Sequence, residues 1–244
     1  MMKIAIISDI HGNDVAFETV LAAIEREEPE QIICLGDVAA NGSQPRETLA
    51  RLRALDCPVV MGNTDDWVLS PKPFTIRNED DQRLYEVELW AAAQLTEADK
   101  AFIRTFQPTV ALDLDNGRSL LCCHGSPRSY MEGIFAATPQ DKLADYLAGV
   151  DVTAVFSGHT HVPLLRRYKN TLLVNPGSVG LPFVKIGDQI INPPWAEYAL
   201  VTSQGDQLDI SLRRVAVEVT AVIQAAFDST MPHKEWWAKE WENQ

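Results

Sequence analysis

Short apolar runs, each ending on a polar or charged side chain, recur along the chain. Ile4-Ala5-Ile6-Ile7 gives way to Ser8-Asp9-Ile10-His11-Gly12. Four consecutive apolar residues rich in isoleucine read as a short strand buried on both faces. Gln31-Ile32-Ile33-Cys34-Leu35 repeats the pattern and ends in Gly36-Asp37, and Pro58-Val59-Val60-Met61 ends in Gly62-Asn63. Between the first two runs, Val15, Ala16, Phe17, Val20, Leu21 and Ile24 form a helical stripe over residues 14–27, which Pro29 closes. A second helix is expected over 45–55, with Pro45 at its start. Strand, helix, strand, helix, strand is the rhythm of a parallel sheet with right-handed crossovers.

Residues 67–79 are rich in proline and polar side chains and read as a loop, and 82–94 read as a helix. Thr96-Glu97-Ala98-Asp99 has the form of a capping box opening a further helix to about 106. Residues 66–106 are therefore expected to form a helical excursion, either lying over the strand tips or packed on one edge. Asn116-Gly117 between the alternating runs 109–114 and 119–123 predicts a hairpin whose second strand ends in His124-Gly125. After a helix at 139–148, Thr153-Ala154-Val155-Phe156-Ser157 predicts a strand ending in Gly158-His159-Thr160-His161. Hairpins follow at 163–174 across Lys169-Asn170 and at 198–215 across Gly205-Asp206, and 216–227 reads as strand turning into helix. Asn175-Pro176-Gly177-Ser178 reads as a turn supporting neighbouring loops. In the tail, about 228–244, Trp237 and Trp241 share a helix face near Trp236. Two readings stand for it: docking on the body of the same chain, or contact in a homodimer. No repeat or linker interrupts residues 1–244, which read as a single domain.

A hydrophobic content of 46% with 23% charged residues fits a soluble globular chain able to bury a core. The net charge of −13 argues against gripping duplex nucleic acid or an anionic membrane. A phosphorylated ligand remains compatible with it only if bound cations supply the positive charge. Cys34, Cys57, Cys122 and Cys123 form no C-x-x-C pair, and adjacent Cys122 and Cys123 would face opposite sides of a strand. They read as buried thiols rather than disulfides. The first apolar run stops at Asp9, too short for a secretory leader, and no stretch reaches membrane-spanning length, so the cytoplasm is the expected compartment.

Four of the five histidines, His11, His124, His159 and His161, fall at predicted strand ends beside Asp9, Asp37 and Asn63. Such clustering is hard to explain by packing. Seven nitrogen and oxygen donors are too many for one cation with open positions and suit two sharing a carboxylate. The donor types favour manganese, iron, zinc, nickel or cobalt over calcium, and the lack of thiolates argues against a closed structural zinc. Arg128, four residues past His124, is a candidate for gripping phosphate, against the plainer reading of a surface arginine. Asn41 is a second candidate for facing the substrate. Ser126 is poorly placed as a nucleophile, because no histidine is left to activate it.

Asp9-Ile10-His11, Gly36-Asp37, Gly62-Asn63, His124-Gly125 and Gly158-His159-Thr160-His161, in that order, resemble the five-block signature of calcineurin-like metallophosphoesterases. The likeness is nearer the small single-domain bacterial and archaeal branch than the protein Ser/Thr phosphatases. It implies an α/β fold, a four-layer α/β/β/α sandwich. It assigns Asp9, His11 and His161 to a first cation and Asn63, His124 and His159 to a second, with Asp37 bridging. Manganese is the first choice. Catalytic weight falls on Asp37, Asn63 and His124, and Asn63, Asn41 and Arg128 are the expected substrate contacts. Two dications about 3.5–4 Å apart would clamp a phosphate and acidify a bridging water to hydroxide for in-line attack. The expected reaction is hydrolysis of small phosphodiesters or activated phosphomonoesters. Hydrolysis of dinucleoside polyphosphates is the alternative; an interaction scaffold without turnover is disfavoured by the complete donor set. One departure matters. Many family members carry a histidine after the motif asparagine, thought to protonate the leaving oxygen; here Thr64 stands there, and a threonine cannot act as a general acid near neutral pH. This predicts a preference for good leaving groups. Asp65 reads as a turn residue or one that orders the loop.

Overall fold

The computed structural model describes residues 1–73, 75–187 and 189–242. The chain opens with β1 (Met2–Ile7), α1 (Asp14–Glu25), β2 (Gln31–Cys34) and α2 (Pro45–Ala54), then α3 (Asn63–Leu69), α4 (Glu79–Gln94) and α5 (Glu97–Ile103). It continues through β3 (Val110–Asp113), β4 (Ser119–Cys123), α6 (Gln140–Tyr146), β5 (Ala154–Ser157), β6 (Leu164–Tyr168) and β7 (Thr171–Asn175). The last elements are β8 (Val184–Ile186), β9 (Gln189–Ile191), β10 (Trp195–Gln204), β11 (Gln207–Ala216), α7 (Val219–Asp228) and α8 (Lys234–Glu242).

Two mixed sheets form the centre of the expected α/β/β/α sandwich, and the parallel pairing that the opening rhythm predicts is only part of each. The first runs β11-β10-β1-β2 and the second β3-β4-β5-β7-β6. β1 is parallel to β2, but its other edge takes β10 antiparallel, Ile4 opposite Val201. In the second sheet β4, β5 and β7 are parallel and the edges β3 and β6 antiparallel. Local pattern fixes which segments are strands; pairing between segments nearly 200 positions apart is invisible to it.

Side-chain alternation makes the layers. Ile4 and Ile6 of β1, Ala199 and Val201 of β10, Cys122 of β4 and Phe156 of β5 meet in one apolar cluster between the sheets. The opposite parity, Ala5 and Ile7 of β1 with Tyr198 and Leu200 of β10, packs on Phe17 and Val20 of α1 and on Val222 of α7. On the far side of the second sheet, Cys123, Val155 and Leu173 meet Leu143 of α6. The result is the α/β/β/α sandwich, with Cys122 and Cys123 on opposite faces and all four cysteines free.

Several expectations are refined. The strand at 58–61 shrinks to bridges from Val59 and Val60, because it is pinched between Cys34 and Gln107 for only two residues. Residues 67–69 belong to α3 rather than to a loop, since Val68 is buried against the main core. The β8–β9 ribbon carries no clear sequence signal: its three-residue strands are mostly exposed. The capping box at Thr96 forms, Thr96 N donating to Asp99 Oδ2 (2.9 Å) and Asp99 N to Thr96 Oγ1 (3.2 Å). The tryptophan tail docks on its own chain. Trp241 is fully buried and Trp237 nearly so, and backbone N–H of Asn192 donates to Glu240 O (2.6 Å). No helix among the described residues is long and apolar enough to cross a membrane.

Phe156 sits with no solvent exposure between the two sheets. Phe156→Ala is expected to cost about 3–5 kcal/mol by opening a cavity there, read as a lowered urea midpoint without a change in slope.

Candidate metal centre

Each expected donor sits just beyond a strand or at the first turn of a helix. Asp9 and His11 follow β1, Asp37 follows β2, Asn63 opens α3, His124 follows β4, and His159 and His161 follow β5. The inter-sheet packing brings the tips of β1, β2, β4 and β5 to one end of the sandwich, as expected of ligands in open α/β sheets. Two groups result: Asp9, His11 and His161, and Asp37, His124 and His159, each with ligand atoms within 4.8 Å of one another. Asp37 Oδ2 links them, 3.3 Å from His124 Nε2 and 3.7 Å from His11 Nε2. Asn63 Oδ1 joins the second group, 3.0 Å from His124 Nε2.

Backbone carbonyls fix how three of the imidazoles present themselves. Nδ1 of His11 faces Ala40 O (3.2 Å), that of His124 faces Leu35 O (2.8 Å), and that of His161 faces Leu181 O (2.7 Å). A carbonyl only accepts, so each Nδ1 carries a proton and each neutral ring turns its Nε2 lone pair into the centre. His11 Nε2 and His161 Nε2 then stand 3.0 Å apart, two acceptors with no donor between them. Likewise His124 Nε2 meets Asp37 Oδ2 and Asn63 Oδ1. Buried acceptors facing one another repel unless a proton or a cation lies between them, and N and O donors of this kind suit a borderline dication. The residues fit the cations that the family resemblance implies.

Titration shows the same frustration. In the first group, burial and the neighbouring His161 push His11 down to about 4. Burial also weighs against His161, but the Asp9 carboxylate outweighs it and raises the ring above its ordinary value. In the second group burial and the charge of His124 depress His159. There burial opposes protonation of His124 too, yet Asp37 and Asp9 lift it to about 9. Within each group the carboxylates therefore pull one imidazole up while burial holds the other down, and a cation that takes the Nε2 lone pairs would have to compete with protons for them.

Residues of plainer type hold the ligands. Ser8 Oγ donates to Asp9 Oδ2 (2.5 Å), and Ser178 Oγ donates to Asp9 O (2.7 Å). Asn175 Nδ2 donates to Gly158 O (2.7 Å), so the 175–178 turn braces the histidine loop as expected. Thr64 N donates to Asp37 Oδ1 (2.9 Å), leaving Oδ2 for the centre. A Cβ at position 62 would collide with Asp37 Oδ1, so only glycine lets α3 approach so closely. Asp65 does more than a turn requires. It is 1% exposed and accepts from backbone N–H of Asp37 (2.7 Å), Val38 (2.9 Å) and Gly62 (3.0 Å). Burial and the Asp37 charge raise its carboxyl to about 7 despite those three donors. The sequence signal was its place two residues after Asn63.

The two substrate candidates lie differently. Asn41 Nδ2 is 3.4 Å from His11 Nδ1, beside the first group. Arg128 spends its guanidinium on Glu132, with Nε to Oε2 at 3.0 Å and Nη2 to Oε1 at 2.7 Å, and lies over the Tyr146 ring. Glu132 also accepts from Ser126 Oγ (2.5 Å). A phosphate would have to compete with that carboxylate for Arg128.

A buried, acceptor-rich centre at the strand tips of an α/β/β/α sandwich is the architecture of a metal-dependent phosphoesterase. Residues 2–191 match the calcineurin-like phosphoesterase superfamily domain, and the chain belongs to that superfamily. It is 29% identical over 196 residues to the uncharacterised protein MJ0912 of Methanocaldococcus jannaschii, covering 73% of this chain and 76% of that one. A metallophosphoesterase from Sphaerobacter thermophilus superposes with a TM-score of 0.75 at 25% identity, covering 98% of this chain and 97% of its own. Protein PH1004 of Pyrococcus horikoshii OT3 shares the fold, with a TM-score of 0.79 at 19% identity and the same coverage. The chain is accordingly a phosphoester hydrolase of a metal-dependent family.

Asp65→Ala would strand three buried backbone N–H groups around the Asp37 loop. It is expected to cost on the order of 3 kcal/mol and to lower metal content after purification, measured by thermal melting and elemental analysis.

Proposed function

We propose that the chain hydrolyses small phosphodiesters or activated phosphomonoesters with two divalent cations, manganese first among manganese, iron, zinc, nickel and cobalt. The observation that carries this reading is Asp37 Oδ2, placed between Nε2 of His11 and Nε2 of His124. One carboxylate oxygen within reach of both groups is what a shared ligand requires. Bound there, the cations would neutralise phosphate oxygens and acidify the water that attacks phosphorus.

The chain's own residues do the rest. Asp9, His11 and His161 hold one cation and Asn63, His124 and His159 the other, while Thr64 N fixes the unshared oxygen of Asp37. Asn63 is the amide among the seven, beside two carboxylates and four imidazoles. It stands at the mouth of α3, where it can serve both cation and substrate. The Thr64 hydroxyl is buried and has no hydrogen-bond partner. It can donate a hydrogen bond to a substrate oxygen but cannot give up a proton near neutral pH. A leaving group must therefore depart without help from this position. With a net charge of −13, the chain depends on the cations for anion attraction, which favours small substrates over duplex nucleic acid. The complete donor set supports turnover over a purely scaffolding role. We place the protein in the cytoplasm as a single domain.

Exhaustive treatment with a chelator is expected to abolish hydrolysis of bis-p-nitrophenyl phosphate, and manganese to restore it. Hydrolysis that survives removal of all metal would sink the proposal. p-Nitrophenyl esters should be cleaved far faster than alkyl monoesters. Thr64→His should narrow that gap by about 10²-fold, and equal rates on both ester classes in the unaltered protein would refute the leaving-group argument.

A further inference from the structure

Two buried groups from outside the five motif blocks converge on one loop residue next to the centre. Asn41 has a left-handed backbone (φ 74°). Its carbonyl accepts from Trp237 Nε1 of α8 at 2.8 Å. Glu88 of α4 lies against its side chain, whose Oδ1 is buried with no hydrogen-bond partner among the described residues. Glu88 is 5% exposed and has no cationic partner among the described residues. Burial, with the charge of Asp37, pushes its carboxyl up to about 8. An unpaired buried carboxyl is costly to keep unless it does something.

What it can do follows from the loop it holds. The carbonyl of Ala40, one residue before Asn41, is the acceptor that fixes Nδ1 of His11. The same loop lies against the backbone of the ligand turn, with Gly12 N donating to Val38 O and Gln44 N to Gly12 O, both at 2.8 Å. The other two carbonyls that orient histidines are braced by β2 and by the 175–181 turn. Leu35 O lies immediately after β2, and Leu181 N donates to Ser178 Oγ (2.9 Å). Ala40 O sits beside a left-handed residue that is not glycine, a conformation that asparagine tolerates but that contacts from outside the loop help to hold.

We propose that Glu88 and Trp237 are positioning residues for the first cation group: they clamp Asn41 from α4 and α8, and through Ala40 hold His11 with Nε2 toward the cation. The excursion and the C-terminal helix then become parts of one metal site and not of the other. This rests on the two-cation reading.

The test is zinc affinity of the full chain, measured by competition with a chromophoric chelator in two backgrounds. His159→Ala leaves the group of Asp9, His11 and His161 complete, and His161→Ala leaves the second group. Trp237→Phe, which keeps a ring in place but removes the indole N–H, and Glu88→Leu should each weaken zinc by about tenfold in the first background. Neither should change it in the second. Glu88→Gln keeps a hydrogen-bonding amide and should restore the affinity that Glu88→Leu loses. The metal-free Trp237→Phe protein should melt near the parent's temperature. Equal weakening in both backgrounds, or none in the first, overturns the proposal alone. If neither the unaltered chain nor either background takes up zinc, the two-cation reading falls with it.

Discussion

Mutual repulsion among buried lone pairs is the constraint around which this molecule is built. Seven donors crowd one end of the sandwich, the ligand atoms of each His/Asp group lying within 4.8 Å of one another, and their lone pairs oppose that crowding. The backbone forces them. Asp9, His11, Asp37, His159 and His161 all adopt left-handed φ between 48° and 66°. Each such residue costs about 1–2 kcal/mol relative to ordinary backbone, although Asp and His tolerate it better than most. What holds them is a lattice of cross-loop hydrogen bonds: Asp9 N to Gly36 O, His11 N to Asp37 O, Gly158 N to His124 O and Gly180 N to Asp9 O. Strained residues clustered at a site that the surroundings over-determine are a mark of function. Here the strain aims each side chain inward at the end of its strand.

The double sheet makes that lattice possible. A single sheet would present its strand tips in one line. Two sheets packed through Ile4, Ile6, Phe156 and Val174 set the tips of β1 and β2 opposite those of β4 and β5. Each cation group draws ligands from both sheets: Asp9 and His11 from the first with His161 from the second, Asp37 from the first with His124 and His159 from the second. The inter-sheet core is thus what sets ligand spacing, and packing defects there should be felt at the centre. The turn at 175–181 ties the halves further, since Ser178 and Gly180 bond Asp9 while Asn175 bonds Gly158.

Charge explains why such an acidic chain can still be a phosphoesterase. Net charge and the carboxylates at the centre both repel an anion, so attraction must come from bound dications. Arg128, the one arginine expected near phosphate, is already occupied by Glu132. The protein's contribution is then geometric: imidazoles oriented by backbone carbonyls, an Asp37 oxygen within reach of both groups, and a buried hydroxyl at Thr64. Superfamily membership sets the class of chemistry, and these side chains narrow the substrates it can serve.

Read alone, the sequence determined most strands, most helices, the turns at Lys169-Asn170 and Gly205-Asp206, and the strand-end places of the seven candidate donors. These are local or ordered features: apolar runs that stop at a candidate ligand, and motif blocks that keep their order from residue 9 to residue 161. Tertiary structure decided what no local pattern encodes. It inserted β10 antiparallel beside β1, decided which strands share each of the two sheets, and reduced the strand at 58–61 to two bridges. It gave Asp65 three backbone donors where a plain turn residue was the favoured reading, turned Arg128 to Glu132, and buried Trp237 and Trp241 against their own chain. Each outcome depends on which distant surface a side chain meets, and such meetings are settled by packing and by unmet hydrogen bonds, not by spacing along the chain.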